Sequence, residues 1–213
     1  MWDTILFDLD GTLTDSQQGI TNSVAYALAH FGIRAEPKDL IKFIGPPLTE
    51  SLPEFYGFTP EQTARAVVVF QEYFMETGWL ENAPYPGATD LLRDLRAAGK
   101  KLMVATSKPE GQAVQILEHF ALARYFDRIC GAPSGNGEGA RKADVIRNAL
   151  GYAGGPASVV MVGDRRHDVA GARETGLPCI GVLYGYGDRE ELEEAGAAFI
   201  AEDMAALRRL LGL

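Results

Sequence analysis

The stretch TILFDLDGTLTDS, residues 4–16, carries the strongest structural signal in the sequence. It opens with the apolar run Thr4–Phe7 and continues through Asp8 and Asp10 into a Gly-Thr turn. An apolar run without polar alternation predicts a strand that is buried on both faces, as in a parallel sheet. Because open α/β sheets bind ligands beyond the carboxyl ends of their strands, we expect both aspartates to lie in a functional site.

Four later apolar runs predict further strands of the same sheet. They are Lys101–Ala105, Arg128–Cys130, Val159–Val162 and Cys179–Leu183. Helical patterns lie between these runs, and such alternation is typical of right-handed βαβ units. The predicted fold class is therefore α/β, with a Rossmann-like parallel sheet covered by helices on both faces.

The interval from residue 16 to residue 82 interrupts this alternation. It contains two strong helical patterns and no convincing strand, and its second helix opens with the capping-box pair Thr59 and Gln62. We predict an α-helical domain at residues 16–82, inserted into a core formed by residues 1–15 and 83–213. The expected hinges lie near Leu13–Ser16 and Glu81–Pro86.

The composition is that of a globular protein with an acidic surface. The 213 residues include 29 acidic and 20 basic side chains, and the resulting net charge of −9 repels phosphate backbones and anionic membranes. Neither nucleic acid nor a membrane is therefore expected as a partner. No apolar run reaches the length of a membrane span, and Asp3 and Asp8 lie where a signal peptide would need basic and then apolar residues. We expect a cytoplasmic protein.

Cysteine chemistry and a nucleotide-binding loop are both disfavoured. Cys130 and Cys179 each lie in an apolar run, which favours buried core residues over a disulfide or a cysteine-based metal site. The glycine-rich stretch Ser134–Ala140 lacks the Lys-Ser/Thr ending of a phosphate-binding loop, so we interpret it as a mobile connection.

Three later segments place polar side chains after predicted strands, at the same edge of the sheet. Thr106 and Ser107 offer hydroxyl and backbone N–H groups to an anionic oxygen. Lys142 begins a predicted helix, where a cation opposes the helix dipole and so calls for another explanation. Asp164 and Asp168 have a spacing that brings two carboxylates together at a helix start.

The carboxylates also predict a metal. Asp8 and Asp10 are two residues apart, and like charges so close raise each other's pKa unless a cation lies between them. The pair therefore predicts either a divalent metal or one shared proton. Asp164 and Asp168 add hard oxygen ligands, which suit Mg²⁺ better than Zn²⁺.

These segments together resemble the four motifs of the haloacid dehalogenase superfamily, in particular its phosphoglycolate-phosphatase-like branch. DLDGT at residues 8–12 is similar to the first motif, and Thr106 in VATSKP to the second. Lys142 in RKADVI is similar to the third motif, and GDRRHD at residues 163–168 to the fourth. The resemblance covers essentially the whole chain and implies that superfamily's core fold with an inserted helical cap.

The resemblance also implies roles for the carboxylates. Asp8 would be the nucleophile that forms an aspartyl-phosphate, while Asp10 would protonate the leaving oxygen and then activate water. Mg²⁺ would be held by Asp8, by Asp10 through its backbone carbonyl, and by Asp164. Asp168 would be either a further ligand or a residue that orients the ligands.

Phosphate and substrate contacts follow from the same resemblance. Thr106 and Lys142 would complete the catalytic set by holding phosphoryl oxygens in the transition state. The segment Phe43–Leu52 is similar to the loop that the cap lowers over the substrate. The expected phosphate-binding or substrate-binding residues are Thr106, Ser107, Lys142, Gly45 and Pro46. Arg65 is a further specificity candidate, whereas Lys108 receives no assignment because helix capping and phosphate contact explain it equally well.

The expected function is Mg²⁺-dependent hydrolysis of a small phosphorylated metabolite, a phosphomonoester of the phosphoglycolate or nucleoside monophosphate type. A sugar-phosphate mutase or a pyrophosphatase on the same core are alternatives among enzymes. Outside enzymes, the alternative is a receiver-like signalling module that accepts and keeps a phosphoryl group, although such a module needs neither Asp10 as a base nor a helical lid. The sequence is compatible with a monomer or a homodimer.

Overall fold

The computed structural model describes residues 2–133 and 140–213, so the stretch interpreted as a mobile connection lies outside the described residues except for Ala140. In chain order, the strands are β1 (Thr4–Phe7), β2 (Thr14–Asp15), β3 (Ala83–Pro84), β4 (Lys101–Pro109), β5 (Arg128–Ala132), β6 (Val159–Gly163), β7 (Cys179–Val182) and β8 (Phe199–Ala201). The α-helices are α1 (Gln17–His30), α2 (Leu48–Tyr56), α3 (Pro60–Glu76), α4 (Ala88–Ala97), α5 (Glu110–His119), α6 (Lys142–Ala153), α7 (Arg166–Glu174), α8 (Arg189–Ala195) and α9 (Met204–Leu210).

Six strands form one parallel sheet, in the spatial order β5-β4-β1-β6-β7-β8. β1 lies inside the sheet, where Thr4 pairs with Lys101 of β4 on one side and with Val159 of β6 on the other. The later strands extend first one side of the sheet and then the other, so the strand order reverses beside β1. Ligands bind beyond the carboxyl ends of the strands at such a reversal. The end of β1 is therefore the expected place for a site.

Helices cover both faces of the sheet, as predicted. Ile5 and Phe7 point into a cluster that includes side chains of α4, α5 and α9, whereas Leu6 joins a second cluster with side chains of α6, α7 and α8. All four residues of β1 are buried, which explains why its sequence is apolar throughout. The α/β fold class is confirmed. Cys130 and Cys179 are unpaired and buried, in agreement with the prediction.

The sheet differs from the prediction in two respects. β8 was not predicted, because its three residues at the edge of the sheet give too short an apolar run to identify. β4 continues four residues beyond the predicted end at Ala105, because Pro109 pairs with Ala132 after a shift in register. Thr106 and Ser107 therefore lie in the irregular last part of β4 and not after it.

The segment 16–82, called the helical insertion below, contains the two predicted helices, α1 and α3, which pack on each other. The capping box at the start of α3 is present, with Thr59 and Gln62 each bonding the other's backbone N–H. Helix α2 and a 3₁₀ helix at Pro37–Phe43 were not predicted. Because α2 begins at Leu48, the segment predicted as a loop, Phe43–Leu52, is helical in its second half.

Both connections to the helical insertion meet in a short antiparallel ladder. Thr14 of β2 pairs with Pro84 of β3, and Asp15 pairs with Ala83. The ladder lies where hinges were predicted from the sequence. Within the part of the chain that the structure describes, no helix is long and apolar enough to cross a membrane.

Candidate active site

Three buried aspartates meet at the carboxyl ends of β1 and β6. Asp8 follows β1 directly, Asp164 follows β6, and Asp168 lies in the first turn of α7. One carboxylate oxygen from each residue lies within 4.8 Å of the other two, and all three side chains are buried. We call these residues the acid cluster. The structure thus brings together carboxylates that are about 160 positions apart in the sequence.

A glycine permits the close approach of the turn after β1 to Asp164 of the acid cluster. Gly11 has a φ of +85°, and a Cβ atom at this position would lie 2.2 Å from Oδ2 of Asp164. The turn that contains Gly11 is tight, because the carbonyl of Leu9 accepts hydrogen bonds from the backbone N–H groups of Leu13 and Thr14. Any side chain at residue 11 would therefore collide with Asp164. This is the physical reason for glycine in the DLDGT stretch.

Two further glycines enclose the acid cluster. A Cβ atom on Gly163 would lie 2.2 Å from Cγ of Asp168, and one on Gly185 would lie 2.3 Å from Cβ of Asp164. Gly163 belongs to the GDRRHD motif that sequence reasoning identified. Gly185 was missed, although it follows the predicted strand at Cys179–Leu183 and so lies at the same edge of the sheet.

The carboxylate of Asp164 is held by two neighbours. Thr12 donates from Oγ1 to Oδ1 at 3.3 Å, and the backbone N–H of Tyr186 donates to Oδ2 at 2.8 Å. Tyr184 supports the same loop by donating its hydroxyl to the carbonyl of Thr12 at 3.1 Å. Neither tyrosine was predicted, because aromatic residues after β7 carry no motif that marks them as polar contacts.

Lys142 is the cation of the acid cluster. Its Nζ lies 2.7 Å from Oδ1 of Asp8 and 2.8 Å from Oδ1 of Asp168, and it donates to the carbonyl of Ala105 at 3.2 Å. Burial alone would lower the pKa of Lys142, but the charges of Asp168 and Asp8 outweigh burial and raise it. The lysine is therefore charged, which explains why it is placed at the unfavourable end of a helix.

The acid cluster contains more negative charge than one lysine neutralises. Burial raises the pKa of Asp8 to about 7, with the charges of Asp168 and Asp10 acting in the same direction and Lys142 opposing them. Burial also raises the pKa of Asp164 well above its usual range, assisted by Asp168 and Asp8. Three hard carboxylate ligands that repel one another fit a divalent cation such as Mg²⁺.

Asp10 has a different environment. Its Oδ2 lies 2.9 Å from Nζ of Lys108, while no described residue forms a hydrogen bond with its Oδ1. Both side chains of this ion pair are about nine-tenths buried. Nζ of Lys108 also lies 4.6 Å from the ring centroid of Phe74 in α3, so the lysine contacts the helical insertion as well. Lys108 thus pairs with Asp10, a contact that the sequence did not predict.

Thr106 and Ser107 are buried beside these groups. The Thr106 hydroxyl accepts a hydrogen bond from the backbone N–H of Lys108 at 3.3 Å, and the Ser107 carbonyl accepts one from Ala140 at 3.1 Å. Both residues line the same cleft as Asp8 and Asp10.

The cleft lies between the sheet edge and the helical insertion. The core lines it with Asp8, Asp10, Thr106, Ser107, Lys108, Pro109 and Gln112. The helical insertion lines it with Ile20, Phe43, Gly45, Pro46, Pro47, Leu48, Phe70 and Gln71. The structure therefore brings Gly45 and Pro46 to the cleft that contains the nucleophile candidate.

Arg165 links the fourth motif to the helical insertion. Its guanidinium donates to the carbonyl of Ile44 and also pairs with Glu191 at 2.8 Å. A Cβ atom on Gly45, whose φ is +108°, would lie 3.1 Å from Cγ of Arg165. This packing fixes the loop before α2 against the core. Arg65, a specificity candidate, is exposed, hydrogen-bonds His30 and lies outside the cleft lining, so the structure does not bring it to the cleft.

Known proteins resemble this chain over nearly its full length. A 5'-nucleotidase from Pseudomonas aeruginosa is 44% identical, over 97% of this chain and 94% of that protein. The tyrosine-protein kinase PtkA of Mycobacterium tuberculosis is 39% identical, over 98% and 72%. A phosphoglycolate phosphatase from Caulobacter vibrioides is 32% identical, over 92% and 85%.

A crystal structure of a predicted phosphatase from Clostridium acetobutylicum matches the fold with a TM-score of 0.96, at 45% identity and with all of both chains covered. The family model described as haloacid dehalogenase-like hydrolase matches residues 5–182, a range that contains the acid cluster, Lys142 and the cleft. These matches confirm the resemblance found in the sequence, and the chain belongs to the haloacid dehalogenase-like hydrolases.

Proposed function

We propose that this protein is a Mg²⁺-dependent phosphatase that hydrolyses small phosphomonoesters through an aspartyl-phosphate on Asp8. The observation that carries the proposal is the acid cluster with Lys142 as its cation, whose Asp8 lines the cleft together with Asp10. Asp8, Asp164 and the backbone carbonyl of Asp10 would hold Mg²⁺, with Asp168 nearby. When bound, Mg²⁺ would neutralise the charge that develops on the phosphoryl group.

Asp8 would act as the nucleophile. A carboxylate oxygen of Asp8 attacks phosphorus, and the bond between phosphorus and the leaving oxygen breaks, so the phosphoryl group is transferred to the carboxylate. Its contact with Lys142 at 2.7 Å favours the ionised carboxylate that this attack requires. Thr106, Ser107 and Lys142 would bind the non-bridging phosphoryl oxygens, as buried donors close to the reacting atoms.

Asp10 would act first as an acid and then as a base. It would give a proton to the leaving oxygen, and it would later take a proton from the water that attacks phosphorus and breaks the bond to Asp8. Nζ of Lys108 lies 2.9 Å from Oδ2 of Asp10, whereas no described residue forms a hydrogen bond with Oδ1. Oδ1 is therefore the oxygen that is available for this proton transfer.

The substrates that we propose are phosphomonoesters of the phosphoglycolate or nucleoside monophosphate type. The names of two relatives, a phosphoglycolate phosphatase and a 5'-nucleotidase, support this range. A mutase would need an ionisable side chain on the helical insertion to handle a second hydroxyl, and the described insertion residues that line the cleft carry none. Hydrolysis is therefore favoured over phosphoryl migration on a sugar.

The test is continuous phosphate release from 4-nitrophenyl phosphate with Mg²⁺. We expect many turnovers per enzyme molecule, no activity after exhaustive chelation, and no activity in Asp8→Asn, which removes one charge with almost no change in volume. A single stoichiometric burst would indicate a signalling module that keeps its phosphoryl group. Undiminished turnover by Asp8→Asn would contradict the role of Asp8.

A further inference from the structure

The wall that the helical insertion contributes to the cleft carries no charge. Its eight lining residues are apolar, glycine or proline, apart from the neutral amide of Gln71. The insertion does contain basic side chains, but all of them are exposed and none lines the cleft. They are His30, Arg34, Lys38, Lys42 and Arg65. The wall is therefore uncharged even though the helical insertion that forms it contains basic residues.

The cations on the core side are already engaged. Lys108, whose side chain is 8% exposed, pairs with Asp10. Lys142, which is 4% exposed, pairs with Asp8 and Asp168. Arg165 approaches the cleft loop, but its guanidinium is held by Glu191 and by the carbonyl of Ile44. Among the described residues that line the cleft, Lys108 is the only cation, and because it pairs with Asp10 no lining cation is left to pair with an anion on the leaving group.

Neutral polar groups take the place of a cation. Nε2 of Gln112 in α5 donates to Oε1 of Gln71 in α3 at 2.6 Å, so a pair of amides joins the core to the helical insertion across the cleft lining. Phe43 and Phe70 add aromatic surface to the same lining. Amides form hydrogen bonds but cannot compensate a charge, and aromatic rings favour apolar contact.

We infer that the cleft selects phosphomonoesters with an uncharged leaving group and discriminates against those with a carboxylate or a second phosphate on it. A second anion would lose its hydration in the cleft without gaining a counterion, and burying a charge in this way is costly. The net charge of −9 adds repulsion at longer range. The inference rests on the proposed phosphatase function and narrows it, because it disfavours phosphoglycolate and favours neutral alcohols such as nucleosides.

The test uses isosteric substrate pairs. We would measure kcat/KM for 4-carbamoylphenyl and 4-carboxyphenyl phosphate, and for the carboxamide of phosphoglycolate and phosphoglycolate itself, with Mg²⁺. In each pair the two esters differ by an amide in place of a carboxylate. We expect the neutral ester to be favoured by about tenfold or more. A smaller preference, or a preference for the carboxylate, in the wild-type enzyme would overturn the inference.

A charge-introducing variant tests the source of the selectivity. Gln112→Lys places a cation in the cleft lining and should shift the ratio toward the carboxylates by about tenfold. Gln17→Lys makes the same chemical change at an exposed residue outside the cleft and should leave the ratio unchanged. A shift of the ratio by Gln17→Lys equal to that by Gln112→Lys would overturn the local explanation.

Failure of the proposed function is distinguishable from failure of this inference. If no ester is hydrolysed, including 4-nitrophenyl phosphate, the phosphatase proposal fails. If esters are hydrolysed but carboxylates are accepted as well as amides, only the charge selectivity fails. The wild-type ratios decide the inference even if Gln112→Lys does not fold.

Discussion

Replacing Lys142 with methionine should destabilise the metal-free protein strongly. The substitution keeps most of the side-chain volume but removes the charge that lies 2.7 Å from Asp8 and 2.8 Å from Asp168. Removing one partner of a buried ion pair leaves an uncompensated charge and costs about 3–5 kcal/mol. The free energy of unfolding of a typical domain is about 5–15 kcal/mol, so this loss is a large part of the total stability.

The loss should depend on pH. At pH 8 the Asp8 carboxyl is driven to ionise without Lys142, whereas at pH 5 Asp8 is protonated and leaves no uncompensated charge. Burial already raises the pKa of Asp8 to about 7 with Lys142 present, and removal of the lysine raises it further. The free energy of unfolding of Lys142→Met should therefore fall below that of the wild type by much more at pH 8 than at pH 5.

Urea unfolding followed by circular dichroism, with a chelator present, measures this difference at the two pH values. Lys38→Met, a change at an exposed lysine of the helical insertion, is the matched control and should have a small effect at both. A loss below about 1 kcal/mol at pH 8, or an equal loss at both pH values, would refute our account of the acid cluster.

Three further predictions concern the glycine at the turn, the metal and the cleft loop. Gly11→Ala should remove nearly all turnover, because the new Cβ atom would lie 2.2 Å from Oδ2 of Asp164. Steady-state kinetics with Mg²⁺ test this prediction, and substantial retained activity would contradict it. In metal-free protein the free energy of unfolding should fall as pH rises from about 5 to 8, because the folded state retains a proton on Asp8, whose pKa is about 7, that the unfolded chain has already released. Thermal melts with Mg²⁺ should show the greatest stabilisation at the high end of this range, and equal stabilisation throughout would count against the ligand set. Replacing Pro46 and Pro47 with glycines should change the relative kcat/KM of natural phosphoesters far more than turnover of a small aryl phosphate, whereas uniform losses would assign the loop to folding.

Much of the fold could be predicted because buried strands of a parallel sheet have a strong sequence signal. Continuous apolar runs identify β1, β6 and β7, and the pair Thr59 and Gln62 identifies the capping box of α3. Local patterns were insufficient elsewhere. The three-residue strand β8 depends on pairing with β7, and the extension of β4 depends on a register shift against β5, neither of which leaves a local pattern.

The helical insertion shows the same limit. α2 contains Pro53 and several polar residues, so its sequence resembles that of a loop, and it forms against α3. The division into a core and a cap remains a prediction, although the ladder of β2 and β3 lies where the hinges were expected.

The carboxylates and Lys142 could be found from the sequence because each follows a predicted strand or begins a helix at the same sheet edge. The partners of these residues could not. Lys108 differs from an ordinary helix-capping lysine only in its contact with Asp10, a residue 98 positions away. Tyr186 contributes a backbone N–H, which any residue type could supply, so its role has no sequence signal at all.

The most direct test of the central claim is to locate the covalent intermediate. Asp10→Asn keeps the nucleophile and the metal ligands but removes the base that activates water, so phosphoenzyme should accumulate with an activated aryl phosphate and Mg²⁺. Peptide mass spectrometry after an acid quench should find one phosphoryl group, on Asp8, and none in the Asp8→Asn/Asp10→Asn double variant. A phosphoryl group on any other residue, or product release by Asp10→Asn with no labelled enzyme, would contradict the account.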